Sequence, residues 1–290
     1  MLTKAEFQAM CAAGPILLDG ATGSNLIKAG MPRGCCTEEW VLSNPEALVS
    51  LQRRYVEAGS KILYAPTFQA QPIALARVGL DRQTEAVNAH LAALTRSISR
   101  DILVAGDLTT LAVYTDSLDP ANFDLLVENY RRQIKGLLDG GVDLLAAETL
   151  MYPLEAEAIL TAAELEGATC CLYTFTMQSD GSFFSGREAG PVLKELEQAG
   201  AAAVGFNCVA ADAFTPALVS KLRRFVKIPL VCKPNAGVPV IGEDQLPHYG
   251  MKPEAFAAIM ADCKAMGANL LGGCCGTDPD FIAALHHAIS

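Results

Sequence analysis

Three observations predict an α/β fold, a single (β/α)8 barrel of the TIM type, for this 290-residue chain. Short apolar runs recur along it, each followed by a stretch with helical features. Those runs are apolar nearly throughout rather than alternating, which means burial on both faces and hence a parallel sheet. Eight such units fill the length with no linker, low-complexity tract or short repeat between them. That count favours a closed barrel over an open doubly wound sheet, and one domain over residues 1–290.

In chain order, Ile16-Leu17-Leu18-Asp19-Gly20 reads as the first strand, and 21–29 as a helix. Asn44 then serves as N-cap with Pro45 at the first helical position, where its missing N–H does no harm. Leu48, Leu51, Tyr55 and Ala58 follow at helical spacing, and Gly59 ends that helix. The second strand runs from Lys61 to Phe68, broken by Pro66, and the third spans 102–107 after a helix over about 84–100. Strands at 143–149, 170–176, 202–208, 229–235 and 269–273 complete the eight. The helix before the last carries Phe256, Ile259, Met260, Cys263 and Met266 on one face.

Lysine and arginine total 22 against 32 acidic residues, a net charge of −10, with no basic cluster. This excludes an electrostatic footprint for nucleic acid. No run approaches a membrane span or a secretory leader, so a cytoplasmic protein is expected. Ten cysteines fit a reducing compartment; six fall in adjacent pairs, a poor layout for disulfides.

In such barrels the active site gathers at the C-terminal ends of the strands. Here those ends read Asp19, Thr67, Asp107, Glu148, Thr176, Asn207-Cys208, Lys233/Asn235 and Cys274-Cys275. Cys274-Cys275 lies between glycines. Neighbouring side chains on a strand point to opposite faces, so both sulfurs meet one ion only where the strand ends. Cys208, from the sixth strand, would join them in the same mouth. Three thiolates with a fourth position open is the donor set of a catalytic zinc. The remaining cysteines read as buried apolar side chains, with Cys35-Cys36 in a loop.

Four segments, Asp19-Gly20-Ala21-Thr22-Gly23, Gly205-Phe206-Asn207-Cys208, Pro234-Asn235-Ala236-Gly237 and Gly272-Gly273-Cys274-Cys275-Gly276-Thr277, carry a resemblance over essentially the whole chain. It resembles the homocysteine S-methyltransferase family, and within it the homocysteine-binding barrel of cobalamin-dependent methionine synthase. The resemblance implies zinc on Cys208, Cys274 and Cys275, with the homocysteine thiol in the fourth place and methionine as product. It puts Asp19 and Glu148 near the substrate ammonium and the backbone after Gly20, at Ala21, near its carboxylate. Thr67, Asn207 and Asn235 complete the candidate substrate set, and Asn235 would take the open zinc position when substrate is absent. The glycines beside the cysteines would let a methyl carrier approach the sulfur.

Two strand ends depart from the family pattern. Ala65-Pro66-Thr67-Phe68 stands where Thr-Asn-Thr-Phe is usual, and Leu108-Thr109-Thr110 where a Gly-Pro-Thr type loop is usual. These bear on how the acceptor is gripped. No segment reads as a folate barrel or cobalamin module, so the resemblance implies methylcobalamin on a corrinoid protein in trans as donor, with S-methylmethionine or betaine as the alternative. Competing classes are a Schiff-base aldolase built on Lys233, which directly precedes Pro234 and is expected to point outward, and a non-catalytic zinc-binding protein.

Overall fold

The computed structural model describes residues 1–242 and 247–290. In chain order its main elements are α1 (Lys4–Ala13), β1 (Ile16–Leu17), α2 (Gly23–Lys28), α3 (Thr37–Ser43), α4 (Pro45–Glu57), β2 (Ile62–Tyr64), α5 (Pro72–Leu75), α6 (Thr84–Arg96) and β3 (Leu103–Thr109). There follow α7 (Phe123–Asp139), β4 (Leu144–Leu150), α8 (Pro153–Leu165), β5 (Cys171–Phe175), α9 (Ala189–Gln198), β6 (Ala203–Ala210), α10 (Thr215–Arg223) and β7 (Leu230–Asn235). The chain ends with β8 (Pro239–Ile241), β9 (Pro247–Tyr249), α11 (Pro253–Ala265), β10 (Leu270–Leu271) and α12 (Pro279–Ile289).

Eight strands pair in the order β1-β10-β7-β6-β5-β4-β3-β2, every pair parallel. At the seam, Lys61 N–H donates to Leu17 C=O at 2.8 Å and the Ser60 hydroxyl to Leu18 C=O at 3.0 Å. Tyr64 N–H donates to the Asp19 carboxylate at 2.8 Å, so a site residue itself helps to bring β1 and β2 together. The result is the nearly closed barrel expected. No helix among the described residues is long and apolar enough to cross a membrane.

Two apolar layers follow from the period-two geometry of strands. Leu18, Ile62, Tyr64, Ala105, Leu144, Ala146, Leu172, Val231 and Leu270 fill the barrel interior. Phe7 and Cys11 of α1 belong to the same cluster. Their neighbours Leu17, Leu63, Val104, Leu145, Cys171, Val204, Leu230 and Leu271 face the helices. Two residues further along β3, β4 and β7, the inner face changes from apolar to charged, at Asp107, Glu148 and Lys233.

Three strands are shorter than the sequence implied: β1, β2 and β10 stop at Leu17, Tyr64 and Leu271. Beyond them Asp19 uses its side chain to hold β2, Pro66 lacks a donor, and Gly272 and Gly273 N–H donate to Cys232 and Asp19 C=O. α2 begins at Gly23, two residues later than expected; before it, Ala21 N–H donates to the Thr277 hydroxyl at 3.2 Å. Helix α3 and the β8–β9 hairpin had no clear signal in the apolar pattern. Asn44 precedes Pro45 of α4 as expected, but its amide donates to Trp40 C=O rather than capping the helix.

Candidate active site and metal centre

The Sγ atoms of Cys208, Cys274 and Cys275 all lie within 4.8 Å of one another. Local backbone explains how β6 and β10 achieve this. Strand parity turns Asn207 inward, which would send Cys208 out, yet Cys208 adopts φ 56°, in the left-handed region. The β6–β7 register shifts between Asn207 and Ala210 at that point, so a bulge re-aims the thiol. Thr149, at a matching shift in β4–β5, adopts φ 58°.

Asn207 clamps the two irregularities. Its Oδ1 accepts from Thr149 N–H at 2.7 Å and from the Thr174 hydroxyl at 2.9 Å. Its Nδ2 donates to Thr149 Oγ1 at 2.7 Å and to Cys274 Sγ at 3.9 Å. Asn207 is therefore fully buried behind the thiols.

The glycines flanking Cys274-Cys275 serve close packing within the chain. A Cβ on Gly272 would fall 2.7 Å from Asp19 C=O, and one on Gly273 2.4 Å from Thr277 Oγ1. Gly276, at φ 82°, lies under the Tyr249 ring, with 2.3 Å to a Cβ placed there. Tyr249, on β9, also stands beside the Cys275 thiol.

The thiols act as one set. Hydrogen bonds from Cys208 and Cys274 hold Cys275 down to about 3, while bonding to both neighbours pushes Cys208 far above the thiol range. Such a set gives up one proton readily and keeps the others until a cation takes their place. Tetrahedral zinc at about 2.3 Å from each sulfur needs sulfurs about 3.8 Å apart, which small side-chain shifts supply. Donor type, number and spacing therefore fit zinc. By contrast, burial pushes Cys11, Cys170 and Cys171 up to about 12, as befits core thiols.

The sulfurs face a cavity of about 270 Å³, near the lower end for small-molecule sites. Its lining includes Asp19, Gly20, Ala21, Thr22, Gly23, Asp107, Glu148, Lys233 and all three cysteines. Lys233 points inward, against the outward expectation. Its Nζ lies 3.3 Å from Glu148 and 3.6 Å from Asp19, with the Tyr64 ring centre at 4.6 Å. Burial disfavours that ammonium, but Glu148 and then Asp19 outweigh it and hold its pKa well above the ordinary value. Burial also raises the carboxyls of Glu148 and Asp107, and brings Asp19 to about 6.

Three residues expected at the substrate lie outside this lining. Thr67 is fully buried, its hydroxyl bridging the Asp107 main chain at 2.9 and 3.1 Å. Asn207 stands behind the thiols, and Asn235 is buried with its Oδ1 unpartnered. Of the two departures from the family pattern, Ala65 and Pro66 line the cavity. Thr109 and Thr110 instead bond back to Glu148 C=O and the Glu155 carboxylate, at 2.8 and 2.7 Å. Asp107 and Lys233 were legible only as strand ends. Strand parity, Ala105 to Asp107 and Val231 to Lys233, is the signal that places both in the cavity.

A family model described as homocysteine S-methyltransferase matches residues 16–289. The methionine synthase of Mycobacterium leprae is 26% identical over 291 residues, 94% of this chain but 24% of that protein. The chain thus spans about a quarter of that relative's length. Among solved structures, the homocysteine methyltransferase MmuM of Escherichia coli, in a metallated form, is 26% identical with a TM-score of 0.81, over 97% of this chain and 99% of that one. A methyltransferase from Methanosarcina mazei, 13% identical with a TM-score of 0.65, shares the fold. The chain belongs to the homocysteine S-methyltransferase family.

Proposed function

We propose that the protein transfers a methyl group to the thiol of homocysteine, giving methionine, with zinc held by Cys208, Cys274 and Cys275. The observation that carries this reading is the convergence of three thiols on a cavity that also holds a buried carboxylate cluster. When bound, zinc would keep the acceptor sulfur as a thiolate at neutral pH, although a free thiol titrates near 8.5.

The chain's own residues do the rest. The cysteines fix where the acceptor sulfur sits, and Asn207 orients them through its hydrogen bond to Cys274. The carboxylates offer a counter-charge for the amino group, and Gly20 to Gly23 offers main chain for the acid group. In the net reaction the S–H proton leaves, the S–CH3 bond forms, and the bond from methyl to donor breaks.

For the donor, the likeness to methionine synthase supports methylcobalamin on a corrinoid protein. The match to MmuM across almost its full length supports a second reading, a small donor such as S-methylmethionine or betaine. Lys233 suits neither a Schiff base nor a nucleophile, because two carboxylates keep it charged. A methyl-transfer assay with homocysteine across these donors tests the proposal. Activity is expected only with zinc, and it should vanish in Cys208→Ser and Cys274→Ser; unchanged activity in either variant would refute the zinc mechanism.

A further inference from the structure

Glu38, on α3, is a further carboxylate of the cavity and stands apart from those at the strand ends. It is 1% exposed and lines the same space. Asp19, Asp107 and Glu148 act on one another and share Lys233, whereas neither they nor any lysine or arginine acts on Glu38. Among the described residues no cation pairs with it.

Both oxygens of Glu38 are nevertheless engaged. Oε1 accepts Gln69 N–H at 2.7 Å, and Oε2 accepts the Cys36 thiol at 3.3 Å. These neutral donors leave the charge itself uncompensated, which burial makes costly. Such a group is matched by a cation that needs charge rather than hydrogen bonds. The wall around it agrees. Gln69 follows Phe68, and both line the cavity with Pro66, which stands where the family pattern has asparagine. That wall has lost an amide and kept apolar surface, against which a methylated cation packs.

We infer that Glu38 is the counter-charge for a small onium methyl donor, a sulfonium or quaternary ammonium, in a subsite separate from that of the acceptor's amino group. This rests on the small-donor reading given above. In the transfer the acceptor thiolate forms the S–CH3 bond while the bond from methyl to the onium sulfur or nitrogen breaks. The electron pair of the broken bond stays on that sulfur or nitrogen, so the donor's positive charge disappears. Glu38 therefore holds the donor and releases the neutral thioether or amine. It acts on donor binding and not on the chemical step.

The test is initial-rate methyl transfer by zinc-loaded protein, with L-homocysteine as acceptor and S-methyl-L-methionine or betaine as donor. Glu38→Gln keeps an acceptor for Gln69 N–H and removes the charge. It is expected to raise the donor KM about tenfold or more, with kcat undiminished and the L-homocysteine KM within about twofold of wild type. A second measurement needs no variant. By calorimetric titration, whichever onium serves as donor should bind wild type about tenfold or more tighter than its uncharged carbon analogue, L-homoleucine for the sulfonium or 3,3-dimethylbutanoate for betaine. An unchanged donor KM, or equal binding of the onium and its carbon analogue, overturns the assignment and leaves the small-donor reading standing. A fall in kcat with both KM values raised also overturns it, by showing a structural role. Wild-type protein that methylates L-homocysteine from a methylated corrinoid protein but from neither small donor overturns the small-donor reading, and this assignment with it.

Discussion

Cys208 holds φ 56°, a conformation that costs a residue with a Cβ about 1–2 kcal/mol and glycine almost nothing. The barrel sustains that strain because it turns one sulfur toward two others. Replacing Cys208 by glycine should therefore leave the metal-free protein about 1 kcal/mol more stable than replacing it by alanine, read as a difference in urea midpoints. Equal stability of the two variants would show that the strain is relieved elsewhere. At this scale the thiol set was readable in the sequence, because paired glycines around Cys274-Cys275 announced an irregular strand end. Asp107 and Lys233 carried no such mark. Only their parity with buried residues two positions earlier assigns them to the cavity, and that parity needs the strand register. Thr67 shows the converse, since a polar strand end can face its own backbone.

At the scale of elements, β4 and β6 carry matched irregularities joined by one side chain. Asn207 contributes hydrogen bonds to Thr149 and Thr174 that no apolar residue replaces. Asn207→Ala should destabilise the fold by about 2–4 kcal/mol, because several buried groups lose their partners at once. It should also lower zinc affinity roughly 10- to 100-fold, as loss of a ligand-orienting neighbour does. Denaturation and competitive chelation measure the two effects, and an intact zinc affinity would exclude Asn207 as an organiser of the thiols. The β8–β9 hairpin acts from the other side through Tyr249. Tyr249→Phe, which keeps the ring over Gly276, should weaken zinc binding by less than Asn207→Ala does. The sequence hid this hairpin because Pro239–Ile241 and Pro247–Tyr249 are only three residues each and Val240 and Ile241 are exposed. The long helices were legible because their apolar faces repeat for several turns.

Over the whole molecule, the eight-fold alternation of apolar strand and helix fixed the barrel before any site was considered. What the pattern lacked was the closure at β1 and β2, where Asp19 accepts Tyr64 N–H. That dual use of Asp19, in the seam and in the cavity, has a pH signature. Buried Asp19 titrates at about 6 in the fold against an ordinary 3.8, so the unfolded chain gives up its proton first. Stability from this group is intact below about pH 4, falls as pH rises through about 6, and stays low above. The raised carboxyls of Asp107 and Glu148 act in the same direction. Urea denaturation of metal-free protein should show this decline, and Asp19→Asn should make it shallower; an identical slope in the variant would remove Asp19 from the account.

The central claim is that three cysteines hold zinc with a fourth place for the acceptor sulfur. X-ray absorption at the zinc edge tests it most directly. Zinc-loaded protein should show three sulfur neighbours at about 2.3 Å, and four once L-homocysteine is added. Fewer than three sulfurs before addition, or a count that L-homocysteine leaves unchanged, would contradict it.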